Sequence, residues 1–167
     1  MDDDARWITI DRRRWRRSDP SIPVIFRKEL VDELMSARRA VAAAKRAGGA
    51  DRLTLARQRV HAAKVALGER GTPWWDEPDD ESLRSRVEAA IGVLARHRFP
   101  DRTICPSDAA RVIGGTRWRR HMDLVRTVAA DMADRQLIEV MQRGQVVTGR
   151  DWHGPVRLRS CAEIDTD

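Results

Sequence analysis

Tyrosine is absent from this 167-residue chain and phenylalanine occurs only twice. Six tryptophans are therefore its main large aromatic anchors, and with aromatics at 5% any core must lean on aliphatic side chains. Cysteine is scarce too. Cys105 and Cys161 stand too far apart for a CxxC pair and are too few for a disulfide framework. The four histidines share no HxxxH or HExxH spacing, which argues against a metal site. No apolar run approaches the roughly 18 residues that cross a bilayer. The acidic start MDDDARW lacks the apolar stretch of a secretory signal, so the expected compartment is the cytoplasm, with no membrane partner. Phosphate-cradling glycine loops, GxSxG and GxGxxG are missing as well. The expectation is a protein without catalytic residues or cofactor.

Positive charge is what the chain has in plenty. Of 32 basic residues only Lys28, Lys45 and Lys64 are lysine. Residues 1–77 hold 17 basic and 12 acidic side chains, and residues 78–167 hold 15 and 14, so the first half carries most of the net +6. A basic balance of this kind suits a polyanionic partner.

Along the chain, Trp7-Ile8-Thr9-Ile10 is β-prone and Asp11-Arg12 suits a turn into a second strand around Trp15. Ser18-Asp19-Pro20 offers helix-start chemistry, with Pro23 in the first turn. Val24 to Ala47 carries the stripe Phe26, Leu30, Leu34, Ala37, Val41 and Ala44, and Gly48-Gly49 breaks it. Asp51 is expected to cap a second helix to about Leu67, with Leu53, Ala56, Val60, Ala63 and Leu67 inward. The two helices predict an antiparallel αα-hairpin. Thr72-Pro73-Trp74-Trp75 reads as an anchored loop over one end of that hairpin, or as an exposed partner contact.

The acidic stretch from Asp76 to Glu81, interrupted by Pro78, is the most linker-like in the chain. After it, Ser82 is expected to cap a helix to about His97, and Pro106-Ser107-Asp108 starts a short helix through about Ile113. Gly114-Gly115 precedes a third helix from Thr116 to about Arg135, with Trp118, Met122, Val125, Ala129 and Met132 buried. Leu137 to Met141 alternates as a strand, Gln142-Arg143-Gly144-Gln145 is turn chemistry, and Val146 to Thr148 begins the return. Trp152 to Gly154 interrupts it, and Pro155 to Arg159 forms a last strand placed at a sheet edge.

Three helices followed by a hairpin is the order of a winged helix-turn-helix domain. In that reading Arg117, Arg119 and Arg120 occupy the first turns of the third helix, where such folds meet the major groove, and Arg143 tips the wing. Asp123, Asp131 and Asp134 on the same helix would repel a phosphate backbone lying along it. A solvated face with an Arg119–Asp123 pair is the plainer alternative. The N-terminal cluster Arg12-Arg13-Arg14-Trp15-Arg16-Arg17 suits phosphates with a stacking ring, Arg13, Arg14, Arg16 and Trp15 foremost. Its plainer alternative is a strand with Trp15 inward and the arginines paired to Glu29, Asp32 and Glu33.

The segments TICPSDAAR and TRWRRHMDLVR and the closing GPVRLR resemble an uncharacterised bacterial family, a domain of unknown function of predicted winged-helix fold, over Ser82 to Ser160. RWITIDRRRWRRSDP, LMSARRAV, ARQRVHAAKVALGERG and PWW resemble a second uncharacterised bacterial segment that often carries the label "biopolymer transporter Tol". Neither resemblance implies functional residues. The expected architecture is mainly α (α+β): residues 1–77 a β-hairpin plus αα-hairpin, 78–81 a linker, 82–160 a winged helix, and 161–167 a tail. The expected function is non-enzymatic binding of double-stranded DNA, associated with transcription. The alternative is a protein-interaction adaptor or homodimer working through the helical hairpin and Trp74-Trp75.

Overall fold

The structure, a computed structural model, describes residues 3–161, with side chains from Ala5 onward. Met1, Asp2 and the expected tail beyond Cys161 lie outside the described residues. In order the elements are α1 (Asp3–Arg6), β1 (Trp7–Ile10), β2 (Arg13–Arg16), α2 (Val24–Ala47), α3 (Ala50–Ala66), α4 (Asp80–Arg98) and α5 (Pro106–Gly114). A 3-10 helix (Gly115–His121), α6 (Met122–Asp134), β3 (Ile138–Gln142), β4 (Gln145–Val147) and β5 (Arg157–Ser160) complete the chain. The architecture is mixed α and β, mostly helical, with two small antiparallel sheets.

β1 and β2 pair around an Asp11-Arg12 turn in which both residues take positive φ, 50° and 62°. In α2 the stripe Phe26, Leu30, Leu34, Ala37 and Ala44 is buried as its spacing predicts, while Val41 is half-buried. Gly48, at φ 74°, ends the helix and returns its N–H to the Ala44 carbonyl. Pro23 stands just before α2 as its N-cap. Asp19 does not start that helix. Its carboxylate accepts from the Ser21 N–H and hydroxyl and from Arg86 of α4.

α3 differs from expectation at its start. Gly49 holds the cap position without a side-chain bond, and Asp51 lies in the first turn, where its charge favours the helix N-terminus. Leu53 and Val60 are only half-buried, because the far end of α3 takes the central place. There Ala63, Lys64, Val65, Ala66 and Leu67 are all enclosed.

α4 also starts earlier than expected. Asp79, not Ser82, is the cap, and its Oδ1 accepts from the Ser82 N–H at 2.7 Å. Asp80 and Glu81 form its first turn instead of a linker, since an acidic run at a helix start is stabilised by the unpaired N–H groups there. One continuous core runs from Ile22, Leu30 and Leu67 through Ile91, Leu94 and Val112 to Val125, Val140 and Leu158. Each fully enclosed Leu or Ile in it contributes about 1.5–3 kcal/mol.

The third helix of the C-terminal half is interrupted. Gly115 takes φ 51° and ψ −121°, and residues 115–121 wind as a tight 3-10 segment with Arg117 off helical geometry. A Cβ on Gly115 would sit 2.9 Å from the Ser21 carbonyl oxygen, so this backbone is pressed against the loop before α2. Regular α-helix starts only at Met122. Val125, Ala129 and Met132 are buried as expected, whereas Trp118 and Met122 are half-buried.

β3 is central in a three-stranded sheet of order β4-β3-β5. Arg143 and Gly144 both take positive φ, 53° and 81°, in the two-residue turn from β3 to β4. β5 is the outer strand as expected, but its free side is partly covered. Ile104 and Leu158 exchange two backbone hydrogen bonds of 2.9 Å.

Candidate nucleic-acid interface

The register of the N-terminal hairpin sorts its side chains. Ile8 pairs with Trp15 and Ile10 with Arg13, and these four share one face; Trp7, Thr9, Arg14 and Arg16 share the other. The cluster expected as one patch is thus split. Arg14 lies 4.6 Å over the Trp7 ring. Arg16 lies over Trp75 and donates to the Gly71 carbonyl at 2.8 Å. Burial lowers the Arg16 pKa, with Asp76 opposing. The acids offered as partners for this cluster are engaged elsewhere: Glu29 with Arg98, Asp32 with Lys28 and Glu33 with Arg59.

Trp74 and Trp75 complete an aromatic group with Trp7. Trp7 and Trp75 meet edge to face at 5.7 Å, Trp74 and Trp75 at 5.0 Å, and the Trp74 Nε1 donates to the Arg17 carbonyl. All three rings are half-buried, so the tryptophan loop clamps the hairpin onto the end of α3.

Arg117, Arg119 and Arg120 are exposed on the 3-10 segment instead of the first turns of an α-helix. Trp118 lies between two guanidinium groups, Arg119 at 4.7 Å and Arg111 of α5 at 5.1 Å. The Arg120 Nε donates to His121 Nε2 at 3.0 Å. Burial, then Arg120, Arg117 and Arg86, lowers the His121 pKa below its ordinary value. Arg143 is exposed at the hairpin tip.

Two of the three carboxylates of α6 are paired, and Asp123 is exposed. Asp131 accepts from Arg84 and Arg150, and Asp134 from Arg150. Those contacts hold the Arg150 pKa above its ordinary value, Asp134 first. Of the neighbouring arginines, Arg157 donates to Thr103 and Arg159 pairs with Glu139.

Two clefts adjoin near the hairpin, one within the first half and one between the halves. One, of about 910 Å³, lies under the Ile8–Trp15 face of the hairpin and is bordered by Arg13, Arg17, Arg27 and Arg38. The other, of about 650 Å³, is bordered by Val24, Arg111, Thr116 and Trp118. Pro20 and Arg27 line both, so the two clefts adjoin. A third cleft, of about 820 Å³, lies among α3, α4 and α6, but its rim charges pair with each other, Arg84 with Asp131 and Arg135 with Glu88.

Arg17 closes the N-terminal arginine cluster, whereas Arg27, Arg38 and Arg111 lie outside the arginines expected at the interface. Arg27 and Arg38 are eleven residues apart, which after three turns returns to the same side of α2. That spacing is legible in the sequence beside the apolar stripe. Among the described residues, no group of three or more His, Cys, Asp or Glu is placed to hold a metal ion. No described helix is long and apolar enough to cross a membrane.

No curated protein matches the chain. Residues 84–161, from α4 through β5, match the model of a family described as a protein of unknown function (DUF3253), which identifies the C-terminal half as an uncharacterised domain.

Proposed function

We propose that residues 82–160 form a winged helix and that the chain is a non-enzymatic, transcription-associated protein that binds double-stranded DNA. The order α4, α5, interrupted third helix, then β3 and β4 around the Arg143-Gly144 turn supports the fold. The observation that carries the function is the adjoining of the two clefts at Arg27 and Pro20. It lines up Arg13, Arg17 and Arg38 from the first half with Arg111 and the 3-10 segment of the second. A phosphate backbone following this band meets guanidinium forks along its length. The 3-10 geometry presents Arg117, Arg119 and Arg120 as a phosphate clamp in place of a helix end deep in the groove. Pairing of Asp131 and Asp134 with Arg84 and Arg150 lowers the repulsion those carboxylates would cause.

Affinity for a 20-base-pair duplex, measured against salt, tests the reading. Each lost phosphate contact lowers the log–log slope by about 0.9, so removing Arg117, Arg119 and Arg120 together should flatten it by roughly 2–3. Absence of duplex binding at low salt would remove the proposal. The adaptor reading through Trp74 and Trp75 is less favoured, because both rings already pack against Trp7 and each other. It predicts that replacing both tryptophans abolishes partner capture while the arginine triple variant leaves it intact.

A further inference from the structure

The cleft beneath the hairpin combines two features that duplex binding does not need together. Six basic side chains line it against Asp11 and Glu69, a surplus of four. Lys64 and Glu69 pair with each other, and Arg16 is spent on backbone carbonyls. Arg13, Arg17, Arg27 and Arg38 remain, and among the residues whose side chains are described no carboxylate forms an ion pair with any of them, although the Arg17 Nε donates to the Trp7 carbonyl at 2.9 Å. Arg27 donates through Nη2 to the Asp19 and Ile22 carbonyls, while its buried Nε has no partner. Such uncompensated guanidinium groups around one cleft repel each other and gain from a multivalent anion.

The second feature is apolar. Ile8, Ile10 and Trp15 stay 38%, 51% and 42% exposed on the hairpin face that borders the cleft. Water contact at these side chains is unfavourable, and a ligand with a flat apolar body would relieve it. A duplex offers phosphates outward and keeps its bases stacked inside, so it cannot cover that wall. A simple carboxylate would neutralise only one of the four surplus charges. The volume, about 910 Å³, falls in the range of small-molecule sites.

We infer that this cleft binds a nucleoside polyphosphate, with the phosphates on Arg13, Arg17, Arg27 and Arg38 and the base against Ile8, Ile10 and Trp15. The same chemistry is found in a free nucleotide and in an unpaired nucleic-acid strand. The site shares Arg13, Arg17 and Arg38 with the band proposed for duplex binding but not Arg117, Arg119 and Arg120, so it stands or falls apart from that trio.

Calorimetric titration of the full chain with ATP, inorganic triphosphate and adenosine tests this. ATP should bind, triphosphate more weakly, and adenosine at least about tenfold more weakly, since each lost charge-assisted bond is worth about that factor. Arg13→Glu with Arg38→Glu, both exposed positions, should weaken ATP by at least about tenfold with an unchanged thermal transition. Trp15→Ala should weaken ATP while leaving triphosphate unaffected. An oligo(dT) strand that displaces ATP and binds more tightly marks the unpaired strand as the ligand; failure to displace it marks the free nucleotide. The Arg117/Arg119/Arg120 variant should retain ATP even if duplex binding is lost. No heat with ATP at millimolar concentration overturns the inference, as does equal binding of adenosine and ATP. Indifference of ATP to the Arg13/Arg38 double variant does the same.

Discussion

Arg98 is the side chain whose loss should be felt most widely. It leaves the last turn of α4 and donates through Nε and Nη2 to both carboxylate oxygens of Glu29 on α2, at 3.0 and 3.1 Å. Its Nη1 donates to Asp108 of α5 at 2.8 Å and to the Thr103 carbonyl at 3.3 Å. Burial alone would lower its pKa, but Glu29 and Asp108 outweigh that and hold it raised. Arg98 and Glu29 are each 12% exposed and Asp108 is 17%. Arg98→Met strands these acids unequally. Asp108 keeps the Cys105 N–H at 3.0 Å, whereas Glu29 loses a bidentate partner. Breaking a buried pair costs about 3–5 kcal/mol, and the retained Asp108 bond places this variant near the lower end, about 3 kcal/mol. For a chain of this size that is a fall in Tm of roughly 6–12 °C. Urea unfolding followed by tryptophan emission measures it directly. Adding Glu29→Leu should recover most of the loss, because an apolar pair in place of a buried ion pair is often neutral. A loss under about 1 kcal/mol for Arg98→Met, or strict additivity in the double variant, would refute the idea that this network joins the halves.

His121 predicts a pH dependence. Its folded pKa is depressed, so below about pH 6.5 the unfolded chain takes up a proton first and stability falls as pH drops further. His121→Gln should flatten that slope in unfolding curves between pH 7.5 and 5. Gly115→Ala combines a positive φ with a Cβ 2.9 Å from the Ser21 oxygen, and the backbone strain alone should cost about 1–3 kcal/mol in thermal unfolding. The same change should weaken duplex binding, since that contact seats the 3-10 segment beside the clefts. Arg150→Ala uncovers Asp134 and leaves Asp131 with Arg84 alone, so duplex affinity at low salt should drop with little change in stability, as read by fluorescence anisotropy.

Elements whose cause is local were legible in the sequence. The apolar stripe and Gly48 of α2, the hairpin turns at Asp11-Arg12 and Arg143-Gly144, and the short helix after Pro106 follow from side-chain period and backbone freedom within a few residues. Helix starts were less legible, as Asp79 and Gly49 show, because several neighbouring Asp and Ser residues suit a cap equally well. The break in the third helix is not legible locally, because Gly115 is pressed against Ser21, nearly a hundred residues away.

Charge placement was the least legible of all. An arginine run reads as one patch along the chain, yet β-pairing sends Arg13 and Trp15 to one face and Arg14 and Arg16 to the other. Whether an arginine is spent or free depends on distant partners: Arg98 on Glu29, Arg86 on Asp19, Arg150 on Asp131 and Asp134. The order of residues alone thus determined the helical and extended segments, since these answer to periodicity and to local backbone preference. Only the folded chain decided which cations stay unpaired and share a cleft, because electrostatic compensation acts through space between residues that the sequence keeps far apart.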